Sequence, residues 1–132
     1  MPDCPRCGTA ALAFPIPADL LEYFPDDRPG AALCPACLDV SPVDDPPEAY
    51  PDFQDAVSDA LPRDPADAVL VACVLALADT LALYRSELSA LLERAEAGGI
   101  DVFLALDRLA DDPSVDPHLD LRRRRRQLEQ LV

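Results

Sequence analysis

Lysine, asparagine and tryptophan are absent from this chain of 132 residues, and histidine occurs once. All 11 cationic side chains are arginines, against 25 aspartate and glutamate residues, which gives a formal net charge of -14. A surface of this sign repels phosphate, so a protein that coats DNA or RNA is disfavoured. The acidic residues are scattered along the whole chain. This pattern indicates a solvated surface in molar salt rather than one acidic face for a basic partner.

Long apolar runs are absent as well. The longest, residues 68–78, has 11 residues, well short of the roughly 20 that cross a bilayer. The first residues contain neither a basic stretch nor the apolar segment of a secretory signal. Apolar side chains still make up 50% of the chain, too many for a disordered acidic protein. We therefore expect a folded cytoplasmic protein with no membrane partner. Thiols stay reduced in the cytoplasm, so paired cysteines there indicate a metal site and not a disulfide.

Four of the five cysteines form two matched pairs, Cys4 with Cys7 and Cys34 with Cys37. The two-residue spacer of each knuckle lets both thiolates point at one metal ion. A proline after the first cysteine favours the tight turn, and Gly8 permits the positive φ that ends it. Two knuckles supply four sulfur ligands, the closed tetrahedral set of a structural Zn²⁺ site. The sequence therefore predicts Zn²⁺ at these four cysteines, with no open position for catalysis.

The paired cysteines have two other interpretations. A rubredoxin-like iron site uses the same two knuckles, but its fold has an aromatic-rich core, and this region offers only Phe14, Tyr23 and Phe24. A thioredoxin-type redox pair needs one such motif on a βαβ frame, not two on short strands. We favour structural zinc over both.

Proline divides the chain into two unlike parts. Of 15 prolines, 11 lie within residues 1–51 and none within 66–112, so long helices are confined to the second half. We predict an α+β fold: a small zinc ribbon of short β-strands over 1–43, a proline- and acid-rich linker over 44–63, and an α-helical hairpin or three-helix module over 64–132. Because so small a ribbon buries little surface, metal binding is expected to supply its folding free energy.

Helix signals begin at the end of the predicted linker. Asp64 and Pro65 have the residue types of an N-cap and a first helical position. Apolar residues then recur at alternating spacings of four and three as far as Gly98. An unbroken helix over 66–97 would be roughly 48 Å long, and its apolar stripe would have to be covered by other elements or by a second copy in a homodimer.

Two shorter helices are expected after this segment. One lies near residues 102–110, where apolar residues again recur at helical spacing. The other is predicted to start at Asp116 and Pro117, which repeat the sequence of an acidic cap and a proline, and to continue to the end of the chain.

Candidates for catalysis are few. His118 is the single histidine and follows a proline at the predicted helix start, where we expect an exposed ring without a role. Cys73 lies in an apolar stretch and is interpreted as a core residue rather than a nucleophile. Nothing in the chain resembles a phosphate loop or a hydrolase triad, so we expect no enzymatic activity.

One segment departs from the general acidity: five consecutive arginines, the first Arg122 and the last Arg126. The chain before them carries 6 arginines and 24 acids, a charge of -18, whereas residues 122–132 carry 5 arginines and 1 acid, a charge of +4. The run could bind nucleic acid or an acidic partner. We favour a structural role, because Asp120 and Glu129 flank the run at helical spacing and cations suit the C-terminus of a helix.

With Cys-Pro-x-Cys twice, a lysine-free aspartate-rich surface and a helical second half, the chain resembles an uncharacterised family of small zinc-ribbon proteins from halophilic archaea. The resemblance implies a zinc site at the four paired cysteines and no established activity. Leu38 departs from the pattern of many second knuckles, which have glycine at this position; the leucine stiffens the turn without removing a ligand.

These observations lead to one functional expectation and one alternative. We expect a small non-enzymatic zinc-ribbon protein that acts as a protein–protein interaction or adaptor module. The alternative is a nucleic-acid-associated regulator of transcription or translation that uses the arginines at 122–126.

Overall fold

The computed structural model of the protein describes residues 2–132. It is a small α+β structure in which a three-stranded antiparallel sheet precedes five α-helices, and this confirms the predicted fold class. The strands are β1 (Leu12–Pro15), β2 (Gly30–Leu33) and β3 (Val40–Val43). The helices are α1 (Phe53–Ala56), α2 (Pro65–Ala78), α3 (Arg85–Ala97), α4 (Val102–Asp111) and α5 (Leu121–Glu129). Within residues 2–132, no helix has both the length and the apolar character needed to cross a bilayer.

The central strand of the sheet is β2, which pairs with β1 on one side and β3 on the other. Its four residues are all buried, and Leu33 lies opposite Leu12 and Val40 in the two ladders. A 3₁₀ turn over Leu21–Tyr23 lies in the connection between β1 and β2. Both knuckles therefore lie at one end of the sheet, before β1 and between β2 and β3.

Part of the predicted linker is folded into the core. Phe53 and Val57 are buried, and the Phe53 ring meets Phe14 of β1 edge-on, with the ring centroids 5.3 Å apart. The hydroxyl of the buried Ser58 donates to Asp112 Oδ2 at 2.6 Å. Apolar side chains of the sheet, of α1 and of the later helices form one continuous cluster. The three-part division of the chain stays a prediction, but a shared core links its parts.

The helix expected over 66–97 is broken into α2 and α3. Asp79 is the C-cap of α2, a 3₁₀ turn covers Leu81–Leu83, and α3 starts at Arg85. A straight helix of about 48 Å could not bury both of its halves in a domain whose radius of gyration is about 14 Å. The break lets both halves face one core.

The apolar stripe of α2 and α3 is buried within the single chain, which covers the surface that suggested a homodimer. The homodimer itself stays a prediction. Cys73 in α2 is fully buried, as its apolar surroundings predicted, and burial raises the pKa of its thiol. The buried stripe residues are Leu70, Val74, Leu77, Leu81, Leu88, Leu91 and Ala95.

The predicted starts of the helices are right for α2 and α4 but wrong for the last helix. Asp64 caps α2 as expected, and α4 spans Val102–Asp111. The last helix, α5, starts four residues later than Asp116 and Pro117 indicated, with Asp120 as its N-cap. The reason is tertiary: the N–H groups of Asp116 and His118 donate to carbonyl groups of the second knuckle at 2.7 and 2.9 Å, so this stretch is not free to be helical.

The arginine run lies on α5, which packs against α4. Arg122 pairs with Asp111, and Arg125 pairs with Asp107 at 2.6 Å, so two of the five arginines join the two helices. Arg125 also pairs with Glu129 one turn later, as its helical spacing predicted. Asp120 was expected to pair with arginine side chains, but its carboxylate accepts from a backbone N–H and caps the helix instead.

Candidate metal centre

Both knuckles close with the same backbone turn. The N–H of Gly8 donates to the carbonyl of Cys4 at 2.9 Å, and the N–H of Leu38 donates to the carbonyl of Cys34 at 3.0 Å. The donating residue has a positive φ in each knuckle, 80° at Gly8 and 63° at Leu38. This conformation suits glycine but costs a leucine about 1–2 kcal/mol. The Leu38 side chain is 1% exposed and belongs to the main core, so its burial offsets the strain.

The four sulfur atoms converge at the distances that one metal ion requires. Cys4 Sγ lies 3.6 Å from Cys37 Sγ, and Cys7 Sγ lies 3.5 Å from Cys34 Sγ. All four lie within 4.8 Å of one another. In a tetrahedral site with metal–sulfur bonds of about 2.3 Å, the sulfur atoms are about 3.8 Å apart. Backbone N–H groups also donate to the sulfur atoms of Cys4 and Cys34, both at 3.4 Å. The cluster therefore fits a metal ion bound by four thiolates.

The four thiols have unlike surroundings. Cys4, Cys34 and Cys37 are buried, whereas Cys7 is exposed. Burial raises the pKa of the Cys34 and Cys37 thiols. The Thr9 hydroxyl, 3.4 Å from Cys7 Sγ, lowers the pKa of Cys7 to about 6. Because a metal binds the thiolate, loading the cluster releases protons from the buried cysteines, and metal affinity falls as the pH falls.

A second group of ligating side chains lies beside the cysteine cluster. Asp39 follows the second knuckle, Asp79 caps the end of α2, and His118 precedes α5; one ligand atom from each lies within 4.8 Å of the other two. His118 Nε2 is 3.7 Å from Asp39 Oδ1, and His118 Nδ1 is 3.8 Å from Asp79 Oδ1. Asp39 Oδ2 is also 4.0 Å from Cys4 Sγ. No sequence pattern predicted this group, because its three residues are far apart in the chain.

The expectation that the His118 ring is exposed is wrong, since its side chain is 8% exposed. Burial lowers the pKa of His118; the charge of Asp79 raises it, that of Arg6 lowers it and that of Asp39 raises it, and burial is the largest of these effects. The ring is therefore neutral near pH 7. The wrong expectation came from Asp116 and Pro117, because an aspartate before a proline indicates an extended segment as readily as a helix start. The hydrogen bonds of Asp116 and His118 to the second knuckle select the extended segment here.

Loss of one cysteine ligand tests the dependence of the ribbon on its metal. Cys7→Ser removes a thiolate at an exposed position, so it weakens metal binding without opening a core cavity. We expect loss of bound metal and faster hydrogen exchange of the amides in residues 1–43, because the metal ties the two knuckles together and its binding free energy stabilises this part of the fold. Hydrogen exchange read by mass spectrometry on loaded, chelator-treated and substituted protein measures this.

Cys73→Ala is the matched control, because it removes a cysteine that does not belong to the cluster and should leave the metal content unchanged. Unaltered exchange in residues 1–43, together with unaltered near-UV circular dichroism after verified metal removal, would contradict the prediction.

Leu38→Gly tests whether core packing outweighs strain in the second knuckle. Glycine relieves about 1–2 kcal/mol of strain, whereas loss of a buried leucine side chain costs about 2–5 kcal/mol. We therefore expect a net loss of about 2 kcal/mol in the free energy of unfolding, the middle of a range of about 0–4 kcal/mol, measured by urea denaturation of metal-loaded protein.

Gly8→Ala is the comparison for Leu38→Gly, because the same turn gains a Cβ there that meets no atom within 4 Å. It should cost about 1–2 kcal/mol from its positive φ alone. A Leu38→Gly protein more stable than the unsubstituted chain would show that the leucine is strained without compensation.

Comparison with known proteins places the chain in a family without assigning an activity. A model of DUF6276, a family of unknown function, matches residues 3–132. Neither a curated protein nor a solved structure matches the chain. The matched range contains both cysteine pairs and all five helices. The chain therefore belongs to the DUF6276 family.

Proposed function

We propose that this protein is a small non-enzymatic zinc-ribbon adaptor, in which Zn²⁺ bound by Cys4, Cys7, Cys34 and Cys37 stabilises a fold whose surface binds another protein. The spacing of the sulfur atoms, 3.5 and 3.6 Å in two pairs, carries the proposal. Four thiolates at this spacing complete a tetrahedral shell and leave no position for a reacting water. The ion then has a structural role, and the function lies on the surface.

The charge of the surface supports a setting of high salt, which we propose to be the cytoplasm of a halophilic archaeon. Among residues 2–132, ion pairs involve Asp19, Asp39, Asp44, Asp79, Asp107, Asp111 and Glu129, and most of the 25 acidic residues are left to the solvent. At about 1 M salt the Debye length is about 3 Å, so charges attract a partner only in direct contact. An adaptor in this setting has to bind through buried apolar surface.

A groove between the end of α3 and the start of α4 offers such a surface. It has a volume of about 390 Å³ and is lined mainly by apolar side chains, among them Leu92, Ile100 and Phe103, with Glu96 and Asp101 beside them. Its chemistry fits a partner segment that inserts an apolar side chain and brings a cation or an N–H group to the two carboxylates. We take this groove as the adaptor surface.

Binding by paired variants tests the groove. Ile100→Glu places a charge in the groove, whereas Leu83→Glu places the same charge at a position that is 75% exposed and does not line it. We expect the unsubstituted protein and Leu83→Glu to retain the same partner from native high-salt lysate, and Ile100→Glu to lose it. Calorimetry with the purified partner should then show an affinity at least about tenfold weaker for Ile100→Glu. A tenfold change corresponds to about 1.4 kcal/mol, which is close to the free energy lost when one apolar side chain is no longer buried.

Identical sets of proteins on all three baits would overturn the assignment of the groove. Nuclease treatment of the lysate before capture separates this adaptor from a nucleic-acid-bound complex, because only the complex would be lost.

The alternative function, a nucleic-acid-associated regulator, rests on the remaining arginines of α5. Arg123 and Arg126 are exposed and form no ion pair within the described residues 2–132, and Arg124 donates to Gln127 at 2.8 Å. The guanidinium groups of Arg123 and Arg126 are therefore available to bind phosphate, whereas Arg122 and Arg125 pair with aspartates of α4.

Two double variants decide between a nucleic-acid contact and a structural role for α5. If α5 binds nucleic acid, replacing Arg123 and Arg126 by glutamine should weaken binding and reduce the slope of log K against log salt by about 2. Replacing Arg122 and Arg125 by glutamine should mainly lower stability, because it breaks the pairs with α4. Fluorescence anisotropy with labelled duplex DNA and single-stranded RNA over a salt series measures this. Absence of binding at physiological salt would exclude the alternative.

A further inference from the structure

We propose that Asp39, Asp79 and His118 form a second metal site, for a divalent first-row ion such as Mn²⁺, next to the cysteine cluster. The donor set contains two carboxylates and one imidazole. Carboxylates suit hard divalent ions such as Mn²⁺, and imidazole binds the later members of the same row. The proposal goes beyond the adaptor function and does not depend on it.

The three ligands come from distant parts of the chain, and the backbone fixes two of them directly. The Asp39 carbonyl accepts from the N–H of Cys34 at 2.9 Å, and the N–H of His118 donates to the Cys37 carbonyl at 2.9 Å. Both residues are therefore tied to the second knuckle. Asp79 is positioned as the C-cap of α2. The side chains meet because the fold holds their backbones, which is the condition for a preformed site.

His118 is the observation that points to a ligand. Its side chain is more than nine-tenths buried, and its two ring nitrogens lie 3.7 and 3.8 Å from the nearest carboxylate oxygens. These distances are too long for hydrogen bonds, and the ring makes none with the residues that the structure describes. One ring nitrogen of His118 can bind a given ion, and one ligand atom from each of the three residues lies within 4.8 Å of the other two. Ligand atoms about 2.0–2.2 Å from a common ion are about 3.0–3.6 Å apart, so side-chain movements of about 1 Å would bring the three ligands onto one ion.

Arg6 supplies the charge balance of the group. Its guanidinium lies 3.5 Å from Asp39 and 3.8 Å from Asp79, longer than a charge-assisted hydrogen bond, and its side chain is 48% exposed. One guanidinium neutralises one of two carboxylates and leaves a negative charge toward which a divalent ion is attracted. Because the Arg6 side chain reaches solvent, an ion can displace it without unfolding the knuckle.

Titration of zinc-loaded, full-length protein with Mn²⁺ tests the site. The titration is carried out in about 1 M KCl, which screens the acidic surface, after one zinc per chain has been verified. His118 is the only histidine, so its ring protons give unambiguous NMR signals. We expect one bound Mn²⁺ per chain by electron paramagnetic resonance of the free ion, and broadening of the His118 signals before all others at substoichiometric Mn²⁺.

Variants assign the binding to these residues. Asp79→Asn should weaken Mn²⁺ binding at least about tenfold, whereas Asp45→Asn, an exposed acid outside the group, should not change it. Arg6→Gln should tighten binding several-fold, because it removes the competing cation and keeps the backbone N–H of the knuckle. If Asp79→Asn fails to fold, His118→Gln replaces it in the same comparison.

Two outcomes would overturn the second site. One is equal binding of Mn²⁺ by the unsubstituted protein and Asp79→Asn. The other is broadening of many signals at once without preference for His118, which would mean diffuse binding to the acidic surface. Retention of one zinc per chain throughout separates these outcomes from any failure of the cysteine cluster.

Discussion

The convergence of four cysteine sulfur atoms is the constraint on which the arrangement of the chain depends. Cys4 and Cys37 are 33 residues apart, yet their sulfur atoms lie 3.6 Å from each other. This closure fixes the second knuckle in space, and the carbonyl groups of Ala36 and Cys37 then accept hydrogen bonds from Asp116 and His118. The stretch before the last helix is thereby held against residues about 80 positions earlier in the sequence. A feature that looks local to the ribbon thus positions the C-terminal part of the protein.

The core explains why the second knuckle departs from the glycine found in the first. Gly8 has open space around it, whereas Leu38 adopts almost the same φ with its side chain fully covered. A positive φ is unfavourable for leucine, but a small sheet that shares its core with helices gains more from the buried side chain. The contact of Phe14 in β1 with Phe53 in α1 likewise belongs to the core that the sheet shares with the helices. Both show that the metal-binding part of the chain contributes apolar surface to the helical part.

Charge acts locally in this protein. The five arginines stand out in a chain of net charge -14, but the fold uses them unequally: Arg122 and Arg125 face acids of α4, while Arg123 and Arg126 face solvent. Helical geometry decides this, because residues three apart lie on the same face. The group around His118 follows the same logic, since the Arg6 guanidinium lies 3.5 Å from Asp39 and 3.8 Å from Asp79 and offsets the repulsion between the two carboxylates.

The sequence by itself determined the elements whose signals are local. The spacing of Cys4, Cys7, Cys34 and Cys37 indicated the cluster, Asp64 and Pro65 marked the start of α2, and the proline distribution separated sheet from helices. Only the tertiary structure decided where the long apolar segment breaks, where α5 starts, and that His118 is buried beside Asp39 and Asp79. Covalent spacing and capping are encoded within a few residues, whereas these outcomes depend on contacts between residues up to about a hundred positions apart, which no local pattern contains.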